Sequence, residues 1–394
     1  MCLRFFVLFL GLVVASASAF ADASANLVPQ ERRAWNFPSG VVLSNEFSGA
    51  RLTGVEPGES PLAFRLTIDR EGPGVTNNSG WYAFELRSET RVLVELTLVY
   101  PWGDHRSAPR ISNDEGLTWS KLTVPVVRSE DGKEASFSLE IGPRPVRVAG
   151  GEQFTLPQME AWSDAFAKRP DIDKFPFGQS VAGRQLYALR SIAARDPNTA
   201  PTLIVLTYQH PPEHTGGLGF RVFMERLWGD TSLAKAFRER HHILVVPVAN
   251  PDGLQEGHWR NNLGDIDLNR DWVNFSQPET RALRDLFIAA PRPLLFLDFH
   301  STGKDVFYTF PDDATGPPHG FTQSWIETLQ NLYPDRPLPR EVSHNVSIPT
   351  ARQWATTTLG VTAITWEFSY SSDPAWITQL ANSGADALMD HFVP

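Results

Sequence analysis

In "YQHPPEHTGG", residues 208–217, a histidine and a glutamate stand three apart with two prolines between them: His210 and Glu213. Further along, His300 ends one apolar run and Glu367 ends another. Two imidazoles and one carboxylate, with a fourth position left open, make the ligand set of a hydrolytic zinc site. Such an ion acidifies a bound water and polarises a carbonyl. A further carboxylate, free of the metal, is then needed to take the proton of that water. His210, Glu213 and His300 fit the first set, and Glu367 fits the base. Pro211 and Pro212 fix φ between the first two ligands and lower the cost of ordering them. The stretch "GHWRNNLGDIDLNRDW", 257–272, adds Arg260, Asp267, Asn269 and Arg270. Two arginines without a helical register suit an anion or a developing charge. A solvated loop with surface ion pairs is the alternative for that stretch.

These residues need elements to hold them, and the second half of the chain supplies the pattern. "TLIVLTY" (202–208), "HILVVPVAN" (242–250), "PLLFLDFH" (293–300) and "VTAITWEF" (361–368) are near-continuous apolar runs, as strands buried on both faces should be. Helical patterns separate them. "GLGFRVFMERLWGDTSLAKAFRER" reads as one helix, and "SQPETRALRDLFIAA" as another, opened by a Ser276–Glu279 capping box. This alternation predicts an α/β fold with a mixed, mainly parallel sheet flanked by helices. His210 and Glu213, Asn250 and Asp252, His300, and Glu367 all fall at or just past strand ends. In open α/β sheets the binding crevice lies outside the carboxyl ends of the strands. A lone histidine there is more often structural; four strands converging on one edge are not.

From 27 to 150 the period changes to two. Phe64, Leu66 and Ile68 share a face, as do Tyr82, Phe84 and Leu86. Val92, Val94, Leu96, Leu98 and Tyr100 form a third row, and Phe137, Leu139 and Ile141 a fourth. Short strands with turn residues between them predict an antiparallel β-sandwich domain over 27–150. His105 and Asp114 read as solvated polar residues near turns. The Pro- and Gly-rich "PRPVRVAGGEQFTLP", 143–157, reads as the junction to a catalytic domain over 155–394.

The first 21 residues carry Arg4, an apolar run and small residues in A-x-A spacing, so they read as a secretory signal peptide. The expected protein is exported, periplasmic or secreted, with no membrane anchor after cleavage. The single cysteine, Cys2, leaves with that leader, so any metal must be held by histidine and carboxylate. A net charge of −10 argues against nucleic acid as the main partner.

Taken in order, "HPPE", "NPDG", "HWRNNLGDIDLNRDW", "LDFHS" and "TWEF" resemble the zinc carboxypeptidase (funnelin) family over roughly 155–394. The nearest likeness is to its cytosolic-carboxypeptidase branch, whose members also carry a β-sandwich before the catalytic domain. The resemblance implies one zinc per chain on His210, Glu213 and His300, with Glu367 as general base. It implies that Arg260 stabilises the oxyanion, that Asn269 and Arg270 grip a C-terminal carboxylate, and that Asp267 orients His210. It also implies that Arg352, fifteen residues before Glu367, sits at the bottom of the specificity pocket and suits an acidic terminal residue. An exposed arginine opening a helix is the other reading of Arg352. The export leader departs from the branch, and 341–360 lacks the tyrosine that digestive relatives carry on a loop over the site. The expected activity is removal of a C-terminal residue, acidic preferred, from a peptide. Peptidoglycan stem peptides, N-acyl amino acids, and a non-catalytic binding role stay open. The oligomeric state is not legible.

Overall fold

The computed structural model describes residues 26–393, apart from 78, 194, 196, 197, 315 and 344–346. The expected leader, 1–21, lies outside the described residues. Within them, no helix is long and apolar enough to cross a membrane.

The N-terminal half is built from a six-stranded and a five-stranded sheet. The rows predicted to face inward do so: Phe64, Leu66, Tyr82, Phe84, Leu86, Val94, Leu96, Leu98, Phe137, Leu139 and Ile141 share one buried core drawn from both sheets. Pairing is antiparallel except between Ala63–Thr67 and Val92–Val99, which run parallel. Two readings need correction. His105 is buried, with Nδ1 3.0 Å from the Tyr100 hydroxyl, and burial pulls its imidazole down to about 4. The stretch read as a junction contains the strand Val146–Ala149, paired on both sides, because its valines complete the sandwich core.

The C-terminal half holds an eight-stranded sheet. Its four central strands are the four apolar runs, in the spatial order His242–Val246, Thr202–Thr207, Pro293–Thr302, Thr362–Ser369, and all three pairings are parallel. Thr202–Thr207 and His242–Val246 are buried at every residue, which explains their unbroken apolar character. From Thr202–Thr207 the chain lays the next central strand on one side and the following one on the other. That reversal opens a crevice at the carboxyl end of Thr202–Thr207, beside Pro293–Thr302. Helices cover both faces. His214–Leu227, Phe321–Leu332 and Pro374–Phe392 pack on one core; Pro278–Ile288 and Ala351–Trp354 pack on the other.

The single long helix expected after residue 216 is two helices, His214–Leu227 and Ser232–Arg240. Thr231 caps the second through Ala234 N. Arg238 donates to the carbonyls of Leu227 and Gly229 at 2.7 and 2.8 Å, so the broken end of the first helix is satisfied. The Ser276–Glu279 capping box does not form. Ser276 donates to Asp271 Oδ1 at 2.8 Å, and the buried Glu279 carboxylate accepts from Val181 N and Asn262 Nδ2.

The helix behind the candidate ligands lies unusually close to the sheet. A Cβ at Gly216 would stand 2.4 Å from the His300 carbonyl oxygen, and one at Gly219 would stand 2.5 Å from the Phe368 ring. Helix and strand must separate to admit a methyl group, so Gly216→Ala should cost about 1–3 kcal/mol in urea unfolding. An unchanged midpoint would mean that this contact yields without strain.

Candidate metal and catalytic site

Each element of the crevice delivers one or two side chains. Tyr208, at the end of the first central strand, adopts φ +53° although it is not glycine. Backbone held in that region is strained and persists only where its surroundings impose it. Past this turn, Glu213 starts the helix His214–Leu227, and its carboxylate spans two rings. Oε1 lies 2.7 Å from His210 Nδ1, and Oε2 lies 2.7 Å from His300 Nδ1. The three residues are buried, and one ligand atom from each lies within 4.8 Å of the others.

The far sides of the two rings explain this arrangement. His210 Nε2 lies 2.9 Å from Asp267 Oδ1, and His300 Nε2 lies 2.9 Å from Asp298 Oδ2. With each Nε2–H given to a carboxylate, each Nδ1 turns a lone pair toward Glu213. Acceptors then face acceptors at 2.7 Å, and a cation has to sit among them. A proton is one solution: burial disfavours charge on His300, yet Asp298 and Glu213 hold its proton affinity well above the ordinary imidazole range. A metal ion is the other. Imidazoles oriented by carboxylates behind them, with a third carboxylate in front, are the pattern of zinc-binding histidines. The residues present fit zinc.

Asp267 has a wider role than orienting one ring. It accepts from Arg260 Nε at 2.6 Å through Oδ2 and from Asn269 N at 2.9 Å through Oδ1. Burial works against its charge, but His210, Arg260 and Arg270 together hold its carboxyl far below the usual range. Asn269 lends Oδ1 to the backbone of Ala351, 2.9 Å away, which opens the short helix carrying Arg352. Arg270 donates to the Asn269 carbonyl at 2.7 Å. The loop 257–270 is thus a braced unit rather than a solvated one.

Glu367 pairs in register with His300 on the neighbouring strand, so its half-buried carboxylate enters the same crevice. Its Oε2 has no hydrogen-bond partner among the described residues, and burial pushes its pKa up to about 7. Arg352 opens a helix, as the exposed reading held, but its head is buried. Nε and Nη1 find no partner among the described residues, and the guanidinium carbon lies 4.6 Å over the Phe310 ring. Burial pulls it down to about 10, against the attraction of Asp298, Tyr308 and Glu367. All the candidate residues except Asp267 line one cleft of about 1170 Å³. Tyr308 and Tyr370 supply its phenols, and Trp81, Trp119, Arg106 and Lys121 of the sandwich form a wall.

Three residues of this network escaped the sequence reading: Asp298, Gln209 and Trp272. Gln209 donates to Asp298 Oδ2 at 2.8 Å and accepts from Trp272 Nε1 at 2.8 Å. Asp298 had a signal, since it stands two residues before His300 and shares its face of the strand. Asp298→Asn should weaken zinc binding about 10–100-fold in competition against a chelator. Unaltered affinity would show that His300 is oriented without it.

Residues 159–388, more than half of the chain, match the model of a family described as zinc carboxypeptidase. Cytosolic carboxypeptidase 1 of Xenopus laevis is 32% identical over 116 residues, which is 27% of this chain and 10% of that protein. The chain therefore spans a small part of the curated relatives it matches, 10% and 19% of the first two. A metallo-carboxypeptidase from Burkholderia cenocepacia superposes with a TM-score of 0.76 at 20% identity, covering 89% of this chain and 98% of that one. A metallo-carboxypeptidase from Pseudomonas aeruginosa, solved with (2-guanidinoethylmercapto)succinic acid, gives 0.74 at 21% identity over 89% and 98%. At such identities the likeness is one of fold, and it extends over both halves. With that fold and a match over most of its second half, the chain belongs to the zinc carboxypeptidase family.

Proposed function

We propose that this protein is an exported metallocarboxypeptidase that holds one zinc per chain and removes a single C-terminal residue, glutamate or aspartate preferred, from a peptide. The reaction class rests on the family and on the buried His210–Glu213–His300 cluster with an unpartnered carboxylate beside it. The acidic preference rests on one observation: a buried guanidinium, Arg352, whose donors have no partner among the described residues of the cleft. Export rests on the leader sequence.

Zinc bound by His210, Glu213 and His300 would supply a Lewis acid and a water of lowered pKa. The chain's own groups do the rest. Glu367 takes the proton of the attacking water and later passes it to the leaving amine. A carboxyl pushed up to about 7 is suited to both transfers near neutral pH. Arg260, fixed through Nε on Asp267, has its remaining N–H groups to meet the oxyanion that develops on the scissile carbonyl. Asn269 Nδ2 and Arg270 hold the terminal carboxylate, and this orients the last peptide bond. Arg352 meets the terminal side chain. Charge-assisted bonds of roughly 1.5–3 kcal/mol each would favour Glu or Asp over Leu by tens to hundreds of fold. The basic wall of Arg106 and Lys121, on a chain of net charge −10, supports an acidic rather than a basic peptide.

Three outcomes test this reading. A peptide series differing only in its last residue should lose that residue fastest when it is Glu or Asp, and chelator should stop the reaction. Should no peptide be cut, peptidoglycan stem peptides or N-acyl amino acids become the substrates to try, and bound zinc without any turnover would favour a binding protein. Glu367→Ala should abolish turnover with zinc retained, whereas loss of metal would make Glu367 a ligand. Arg352→Leu should shift preference from acidic to apolar termini; an unmoved preference removes Arg352 from the pocket.

A further inference from the structure

The loop that carries Arg260, Asp267, Asn269 and Arg270 is braced largely by the N-terminal half. Gly49 N donates to Gln255 O at 2.8 Å, and a Cβ at Gly257 would stand 2.5 Å from the Ala50 carbonyl. Leu27 N donates to Leu263 O at 2.8 Å, and Gly74 N to Asp265 Oδ2 at 2.6 Å. The Trp259 ring packs with Trp81 and Trp119 of the sandwich. One contact falls on the backbone of Arg260 itself. Glu71 Oε1, from the segment after the sandwich strand Ala63–Thr67, accepts from Arg260 N at 2.7 Å and from Asn261 N at 2.9 Å. Glu71 is in turn fixed from behind. The buried Arg51 donates through Nε to the Asp69 carbonyl at 3.1 Å and through Nη2 to the Arg70 carbonyl at 2.5 Å.

We infer that Glu71 is a positioning residue for Arg260, and that the sandwich takes part in catalysis by holding the arginine which meets the developing oxyanion. The inference rests on the role given to Arg260 above. The Arg260 side chain is tethered at one point, Nε on Asp267, and its backbone at another, N on Glu71. Two tethers leave the terminal N–H groups little freedom. Charge developing on a carbonyl oxygen is stabilised best by donors that do not reorganise during reaction. Both amide bonds end on one oxygen, so a glutamine, which keeps a carbonyl Oε1, can replace them while an alanine cannot.

The test uses the full zinc-loaded chain and the peptide whose terminal residue the wild type removes fastest, so a failed acidic preference leaves it intact. Glu71→Ala should lower kcat by about 10- to 100-fold, as expected for a catalytic group displaced by up to an ångström, with KM little changed. Glu71→Gln should restore most of it. In an Arg260→Ala background the Glu71→Ala change should add almost nothing, because the group it positions is gone. Amide hydrogen exchange at Arg260 and Asn261, which needs no turnover, should speed up in Glu71→Ala and stay slow in Glu71→Gln. If Glu71→Ala does not fold, Glu71→Asp draws the acceptor back by one methylene and should reproduce the pattern. Faster exchange with wild-type kcat overturns the inference, as do losses that multiply with Arg260→Ala.

Discussion

A carboxylate held between two imidazoles that are each held by another carboxylate is the constraint on which this molecule turns. Glu213 faces both Nδ1 atoms, while Asp267 and Asp298 take both Nε2 atoms. Three carboxylates converging on two rings cannot be buried without positive charge among them, because an uncompensated buried anion costs several kcal/mol or more. The arrangement is therefore a demand for a cation, and its donor types set which one. A proton on His300 meets the demand in part; two nitrogens and a carboxylate around a common point suit zinc better. Protons and metal compete for the same atoms, so occupancy of the site and the charge of its histidines are one equilibrium.

Such a cluster has to be assembled from parts far apart in the chain, and the sheet does this with few degrees of freedom. The switch in strand direction beside Thr202–Thr207 opens the crevice, and parallel pairing brings His300 level with Glu367. Once those two strands are in register, base and ligand cannot drift independently. Gly216 then lets the helix that starts at Glu213 approach the His300 backbone closely enough for one carboxylate to reach both rings. The loop 257–270 has no strand or long helix of its own, and its rigidity comes from side chains such as Asp267 and Asn269 and from the sandwich. Precision here is supplied by packing between halves of the chain, not by local propensity.

That division also marks what could be read in the sequence. The four central strands were legible because burial on both faces removes polar residues, and their order in the chain placed His210, Glu213, His300 and Glu367 at one edge. The inward rows of the sandwich were legible for the same reason, with a period of two. What escaped depends on contacts that carry no periodic trace. The break after Leu227 turns on Arg238 reaching back to two carbonyls, and the Ser276–Glu279 pair was drawn apart by Asp271 and Asn262. His105 looked like a turn residue and is buried against Tyr100. Asp298 was visible as a neighbour on the face of His300, whereas Glu71 meets Arg260 across 189 residues and no spacing rule could have joined them.

The same reasoning bears on Arg352, which the resemblance offered as a pocket residue and local pattern offered as a helix opener. Both descriptions hold, and only burial separates their consequences. A guanidinium removed from water without hydrogen-bond partners loses the solvation that an exposed one keeps, and a ring face at 4.6 Å returns only part of it. Proteins keep such uncompensated groups at sites where a ligand completes them, and stability alone would select against them. The Glu367 carboxylate is in the same condition on the other side of the cleft. The two do not neutralise each other by a direct hydrogen bond: Oε2 of one, and Nε and Nη1 of the other, stay unpartnered among the described residues. A cavity with an unsatisfied cation and an unsatisfied anion is poised for a substrate that brings a carboxylate to the first and a proton to the second. A peptide ending in an acidic residue, with a water beside its last amide, brings both.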